Sequence, residues 1–474
     1  MLTANTIHAF KWSVLGEAAS RFAAPLTLLV LARILLPDDF GVVAAATVVI
    51  SLSQALAEAG LGKALVQRQD RVDECAAAVF WLNMALAVIV MVALAAGAPL
   101  IAGFFKDPRI TDVVRVLSLQ VPLAALCTVP SALLQRDLQF RQIFWVRLVT
   151  AALPALVSIP LALAGHGYWA LVASSVAGQA VQAAMLWQRS RWRPGAPIDW
   201  GLAVELMSFG KWAVLSGLLT WGYAWADAII VGHYLGATEM GLYRTGNTLA
   251  TMLFGLVFAP VLPVLYTLFS RVGHDRVAVS GALMISAEAT VVLSFPVAAL
   301  IVFWSNVIEA TVFGAGWGGL ASIIALLAAG QGLGWLVGIN GEAYRAVGRP
   351  QFETWSMGIS IAAYLVGYLV SIQFGLMAFV ATRAGLTLVG IAVQIAIAKN
   401  ALGLPLRAWA RIAWKPLVAV VLSCLLVAGL SPAASNDIVQ AIVHSVILLL
   451  AYAALTLLFN ARHRSALLRY IHAT

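Results

Sequence analysis

AVFWLNMALAVIVMVALAAGAPLI, residues 78–101, runs its whole length without an Asp, Glu, Lys, Arg or His. A helix rises 1.5 Å per residue, so about 20 apolar residues span the roughly 30 Å hydrocarbon core of a bilayer. Outward from this stretch the same signal recurs in both directions. Of the 474 residues, 62% are apolar and 10% charged, and the mean hydropathy is +0.94. Soluble domains carry about 25% charged residues. So little charge cannot cover a water-facing surface, which excludes a soluble enzyme, a disordered tail and a coiled coil. The chain reads as an all-α polytopic membrane protein. Transmembrane strands are ruled out because the runs are continuous rather than alternating over about ten residues.

Charged or Gly/Pro-rich breaks divide the chain into about fourteen transmembrane spans: 12–32, 42–62, 78–101, 113–134, 143–164, 167–187, 208–232, 246–269, 282–303, 320–341, 355–374, 376–398, 413–430 and 438–458. The first span contains Glu17 and Arg21 and is followed by many others, so it reads as a helix and not a cleavable signal. The connections are too short to hold a folded extramembrane domain.

Charge then gives orientation. Lys and Arg collect in cytoplasmic loops. Twenty-two of the 29 lie before the first span, in the even-numbered connections or the first or last few residues of the spans that flank them, or in the C-terminal tail. Five (Arg33, Lys106, Arg109, Arg115 and Arg244) lie in the odd-numbered connections or the span ends beside them, while Arg21 and Arg383 sit deeper inside spans. Both termini are therefore expected in the cytoplasm. The net charge of +9 is explained by topology, and no nucleic-acid partner is called for. Cys75, Cys127 and Cys424 have no metal or disulfide spacing.

A shift of 200 residues superposes the chain on itself. KWSVL (11–15) meets KWAVL (211–215), Leu35 meets Leu235, Asp39 meets Glu239 and Gly41 meets Gly241. Six spans separate the copies, so the halves share one orientation and relate by an axis along the membrane normal. The expected architecture is two pseudo-symmetric six-helix lobes plus two terminal helices. An N-terminal lobe covers 1–190 and a cytoplasmic linker 191–207, built on RSRWRPGAPIDWG (189–201). A C-terminal lobe covers 208–400, and 401–474 holds spans 13 and 14 and a cytoplasmic tail.

An ionisable group at mid-bilayer costs about 2.5–3.5 kcal/mol on insertion scales, so each one calls for a reason. Glu17 and Arg21 share a helix face: either they pair internally, or Arg21 lines a cavity with Glu17 orienting it. Asp227, in TWGYAWADAIIVG (220–232), has only Lys211 as a basic residue in its own span, sixteen positions away. Desolvation raises the pKa of such an acid unless a cation from another helix reaches it, and both cavity exposure and interhelical pairing are open. Glu288 and Arg383 could pair with one another. Arg33 and Arg244 stand at outer span ends, against the positive-inside trend. They either snorkel into the interface or present a guanidinium fork to an anionic head group. Candidates for a substrate cavity are thus Arg21, Arg33, Arg244 and Arg383. Candidates for ion coupling are Glu17, Asp227 and Glu288.

Gly330, Gly334 and Gly338 recur every four residues and suggest a close helix contact. No P-loop, HExxH, paired-Cys motif or nucleophile elbow occurs. GAGWGG (314–319) spells GxGxxG but lies in an outer connection with no βαβ context. No catalytic residues, cofactor or metal are expected, and the chain reads as a transporter, not an enzyme.

Several stretches, in order, carry a family resemblance. RILLPDDFGVVA (33–44), EAGLGKALVQR (58–68), LLQRDLQFRQ (133–142) and GHGYWALV (165–172) are followed by GLYRTGNTL (241–249), FGAGWGG (313–319) and EAYRAVGRP (342–350). They resemble the Wzx-like oligosaccharidyl-lipid/polysaccharide flippases, in the branch similar to the colanic-acid exporter. The same superfamily holds the MATE drug exporters. The resemblance implies a fourteen-helix, two-lobed protein of the bacterial inner membrane. Such a protein would flip undecaprenyl-pyrophosphate-linked oligosaccharide units to the periplasmic leaflet for exopolysaccharide or O-antigen synthesis. Its partners would be lipid-linked oligosaccharide, membrane lipids, and the polysaccharide polymerase and export machinery. The family's helix 7 acid falls on Asp227, and the Arg after Gly-Leu-Tyr falls on Arg244. Two rivals remain, a multidrug/cation exporter of the same superfamily and a membrane polysaccharide polymerase. The exporter would favour more buried acids, and the polymerase a long outer loop with paired acidic or Arg residues.

Overall fold

In a bilayer every backbone N–H and C=O must find a partner within the protein, and a helix satisfies them locally. In the computed structural model, which describes residues 25–58, 65, 71–195, 200–430 and 438–459, each of the fourteen expected windows is helical over most of its described residues, and no strand occurs among the described residues. Nine described helices are long and apolar enough to cross a membrane, or ten if one bent pair counts as a single span.

The chain divides into two units, Met1–Arg244 and Thr245–Thr474. The first contains α1 (Pro25–Ile34), α2 (Pro37–Glu58), α3 (Val72–Phe105), α4 (Arg109–Leu117), α5 (Gln120–Arg136), α6 (Phe140–Leu163), α7 (Tyr168–Ser190), α8 (Trp200–Leu235) and the first turns of α9 (Ala237–Phe258). α6 and α7 form a tight antiparallel pair, α7 also packs on α5, and α8 lies against α2 and α3. The second unit continues α9 and adds α10 (Val261–Arg271), α11 (Arg276–Ile308), α12 (Leu320–Gly334), α13 (Asn340–Ala346), α14 (Gln351–Ser371), α15 (Leu376–Leu402), α16 (Leu406–Leu430) and α17 (Ile438–Phe459). Within it α11 packs on α12, α16 and α17, and α15 lies between α12 and α14.

α3 shows how these helices meet lipid. It buries a face of small residues, Ala76, Ala77, Ala78, Ala87, Ala98 and Ala102, and turns Ile89, Val92 and Leu100 outward, Leu100 being 81% exposed. Small residues let backbones approach where no hydrophobic force drives helices together. Large aliphatic groups on the outside are stable only against hydrocarbon.

Three expected spans differ in detail. The window 246–269 is not one rod but α9 and α10, bent by 52°. Pro260 stands just before α10, where it lacks an N–H and its ring clashes with the preceding turn. The window 113–134 is divided into α4 and α5 at Ser118–Leu119. In 320–341 the α-helix stops at Gly334 and turns lead to Asn340. The glycines there divide accordingly. A Cβ on Gly330 would lie 3.0 Å from the Ala384 Cα, and one on Gly334 3.4 Å from the Thr387 methyl, so both mark the α12–α15 contact. Gly338 lies beyond α12 and packs on its own neighbour Trp335.

Candidate functional site

The 200-residue shift reappears as geometry. α2 and α9 are each 22 residues long, and both their first and last residues are offset by 200. Their N-terminal turns cross at the two repeat-related glycines. A Cβ on Gly41 would collide with the carbonyl oxygen of Ala237, and one on Gly241 with the carbonyl oxygen of Pro37. The contact is reciprocal, each glycine riding over the first residue of the opposite helix. Only glycine permits two backbones this close.

Polar groups surround this crossing. The guanidinium of Arg109 donates to Asp38, Nη1 to Oδ2 at 2.5 Å, and to Asp107, Nη2 to Oδ2 at 2.6 Å. Thr238 Oγ1 donates to the other Asp38 oxygen at 3.3 Å, so the repeat-related positions 38 and 238 meet directly. Asp39 accepts from the Leu36 N–H at 3.1 Å and fixes the chain's entry into α2. Burial raises the pKa of Asp107, but hydrogen bonds from Arg109 and its charge outweigh this and leave the carboxyl below its usual value. A depressed carboxyl stabilises the fold above the unfolded value of about 3.9, and that contribution is lost as pH falls through the folded value. The ion cluster should therefore hold throughout the neutral range. Arg109 is 40% exposed, and exposed ion pairs contribute about 1 kcal/mol or less. Arg109→Ala is expected to lower the melting temperature by no more than a few degrees at pH 7. Its difference from the unaltered chain should shrink below about pH 4. A large loss at pH 7 in a thermal melt would show that the cluster is worth far more than its exposure allows.

The α8–α9 hairpin builds a second polar feature. Gly236, at φ +89°, makes the turn, so residues late in α8 face residues early in α9. Asp227 is 3% exposed. Its Oδ2 accepts from the Tyr243 hydroxyl at 2.6 Å, and its Oδ1 from the Ala228 N–H at 2.6 Å. One residue further along α9, Arg244 lies within electrostatic reach of Asp227. Its guanidinium carbon stands 3.8 Å from the centre of the Trp225 ring, and Nη1 donates to the Ala224 carbonyl at 3.4 Å. An Arg over an indole is held by cation–π attraction and stacking while keeping other N–H donors for a ligand. Trp221, a turn earlier, donates from Nε1 to the Val48 carbonyl and to Ser51 Oγ, both at 3.1 Å, and ties α8 to α2.

The expected site residues distribute as follows. Asp227 and Arg244 are brought together, with Tyr243 and Trp225 between and around them. Arg33 is exposed on α1 and makes no ion pair among the described residues. Glu288 on α11 and Arg383 on α15 are half-buried in the second unit. Glu17 and Arg21 lie outside the described residues. No group of three or more His, Cys, Asp or Glu among the described residues could hold a metal ion. Tyr243, Trp225, Trp221 and the Gly41–Gly241 crossing carry no buried-charge signal in the sequence. The repeat already paired the two glycines, and GLYRTGNTL holds Gly241, Tyr243 and Arg244 in succession.

The model of the polysaccharide biosynthesis protein family matches residues 30–322, more than half of the chain. The chain belongs to this family. It is 31% identical over 327 residues to the succinoglycan biosynthesis transport protein ExoT of Rhizobium meliloti, covering 68% of this chain and 65% of that protein. It is 23% identical over 334 residues to the lipopolysaccharide biosynthesis protein WzxC of Escherichia coli, covering 69% and 67%. The chain thus spans about two thirds of each relative's length. Among solved structures, the lipid II flippase MurJ in an inward closed conformation superposes with a TM-score of 0.78 at 11% identity, over 95% of this chain and 98% of that one. The two proteins therefore share one polytopic all-helical fold. The crossing and the Asp227–Arg244 hairpin both lie within the matched region.

Proposed function

We propose that this chain moves a lipid-linked oligosaccharide, carried on undecaprenyl pyrophosphate, from the cytoplasmic to the periplasmic leaflet of a bacterial inner membrane. The observation that carries this reading is Arg244, which is anchored on Trp225 beside a buried acid and has guanidinium donors to spare for a phosphate. A planar fork of donors suits a pyrophosphate. The succinoglycan and lipopolysaccharide relatives, whose names place them in polysaccharide biosynthesis, support the choice of cargo.

The mechanism we favour is alternating access. The lobes, taken as 1–190 and 208–400 about the 191–207 linker, rock around a cavity while the prenyl tail stays in lipid. The remainder, 401–474, is an appendix to them. Arg21, Arg33, Arg244 and Arg383 are the cationic groups available to the pyrophosphate. Glu17, Asp227 and Glu288 are those available to exchange a proton. Both termini face the cytoplasm, a reading that the Lys and Arg distribution supports, so the α2–α9 crossing lies on the periplasmic side and must part for release. The chain is a transporter, not an enzyme, and hands its cargo to a polymerase and export machinery.

Deleting the gene and extracting the lipids tests this. The expected result is accumulation of a prenyl-pyrophosphate-linked repeat unit with loss of the surface polymer. Unchanged lipid-linked pools and normal polymer would overturn the reading.

A further inference from the structure

The antiparallel packing of α6 and α7 sets the start of one helix beside the end of the other. A cleft of about 460 Å³ opens there, lined by Arg141, Gln142 and Trp145 from α6 and by Gln188, Arg189 and Arg191 from the end of α7. Three of its six lining residues are arginines, and none is a carboxylate. Arg141, Arg189 and Arg191 are all exposed, and Trp145, 40% exposed, forms part of the cleft wall. Arg191 ends α7 with φ at +51°, the left-handed conformation that commonly terminates a helix. It keeps this guanidinium at the cleft instead of following the line of the helix.

Guanidinium groups sharing a cleft repel one another, so the arrangement favours a ligand with concentrated negative charge. The Gln188 side chain adds neutral N–H donors, and the start of α6 adds the positive end of a helix dipole. An acceptor-rich, multiply charged oxyanion uses all of these; a neutral sugar or a cation does not. Trp residues settle at head-group depth, and basic pockets between transmembrane helices on the cytoplasmic side bind anionic lipid head groups. The cleft stands entirely within the first unit, apart from the Asp227–Arg244 hairpin.

We propose that the Arg141–Arg189–Arg191 cleft binds the phosphate of a lipid in the cytoplasmic leaflet. Only the choice of leaflet rests on the reading given under Proposed function; binding itself requires no transport. The phosphate could belong to a resident anionic phospholipid or to a prenyl pyrophosphate, and the test separates the two.

The full-length chain, purified in neutral detergent, is titrated with phosphatidylglycerol, with farnesyl pyrophosphate and with phosphatidylcholine. Bound lipid is counted by native mass spectrometry. A variant with Arg141→Gln, Arg189→Gln and Arg191→Gln is compared with Arg271→Gln/Arg276→Gln, which removes basic residues from another connection. The expected result is binding of an anionic lipid that weakens at least tenfold in the triple variant. The control variant should bind like the unaltered chain, and phosphatidylcholine should bind equally weakly throughout. Preference for phosphatidylglycerol marks a resident-lipid site, and preference for farnesyl pyrophosphate marks a cargo-side site. Equal anionic-lipid binding by the triple variant, with its elution volume and melting temperature unchanged, would overturn the proposal. So would equal loss in the control variant. Should the triple variant misfold, the Arg189→Gln/Arg191→Gln pair, altered only at the helix end, serves in its place with the same two outcomes. Cytoplasmic placement is read separately, by reagent access to a cysteine introduced at Gln188. A periplasmic result would refute the leaflet assignment without touching the binding result.

Discussion

Gly241→Val is expected to abolish export of the surface polymer while the protein still inserts in the membrane. The added side chain must occupy the position of the Pro37 carbonyl oxygen, which is backbone and cannot rotate aside. Gly41→Val meets the Ala237 carbonyl in the same way. Overpacking a close contact costs about 1–3 kcal/mol or more, and each 1.4 kcal/mol is a tenfold change in an equilibrium. The crossed arrangement of α2 and α9 should become a minor state in either variant. Alanine at these two positions should already impair export, because the clash begins at Cβ. Gly97→Ala, where a Cβ meets nothing within 4 Å, should be silent and serves as the control. The two alanine variants combined should do less harm than their sum, since both disturb one contact. Quantified surface polysaccharide and membrane protein levels check this. Full export by Gly241→Val would show that the crossing takes no part in the cycle.

Arg244→Ala carries the second large effect. One charge-assisted hydrogen bond to a phosphate is worth about 1.5–3 kcal/mol, or about a 10- to 150-fold loss of binding. The substitution also strips a cation from the neighbourhood of the buried Asp227. Lipid-linked repeat units should accumulate and surface polymer should fall at least tenfold. Arg244→Lys should recover part of it, since an ammonium keeps the charge but loses the fork and the stacking on Trp225. Tyr243→Phe, which removes the hydroxyl bonded to Asp227, should be milder because the ion remains. Normal polymer in Arg244→Ala would remove this arginine from the site.

The sequence made the scaffold legible because hydrocarbon acts uniformly on it. A run such as residues 78–101 has one stable solution in lipid, and α3 is that solution. Breaks inside apolar runs were harder to see. Pro260 and Pro263 are plain in the sequence, but Pro154 and Pro160 lie inside the continuous α6, so proline alone did not say which span would bend. The site was half legible. Asp227 and Arg244 stood out because buried charge is costly. Their pairing partners did not, since Tyr243 and Trp225 are ordinary residues in an apolar chain until the Gly236 turn sets α9 against α8. Gly41 and Gly241 were paired by the repeat, but nothing in a self-alignment says that equivalent residues touch. Arg141, Arg189 and Arg191 were absorbed in the count of cytoplasmic charge. A charge tally cannot show that residues 50 positions apart share a cleft.

Sidedness is the central claim, and one measurement reaches it directly. Intact spheroplasts are treated with periodate, which oxidises exposed glycan and does not cross the membrane, and the protected fraction of the lipid-linked repeat unit is measured by mass spectrometry. When the chain is depleted, nearly all of that pool should become protected, and restoring the chain should return it to the accessible face. A protected fraction that stays the same with and without the chain would contradict the account.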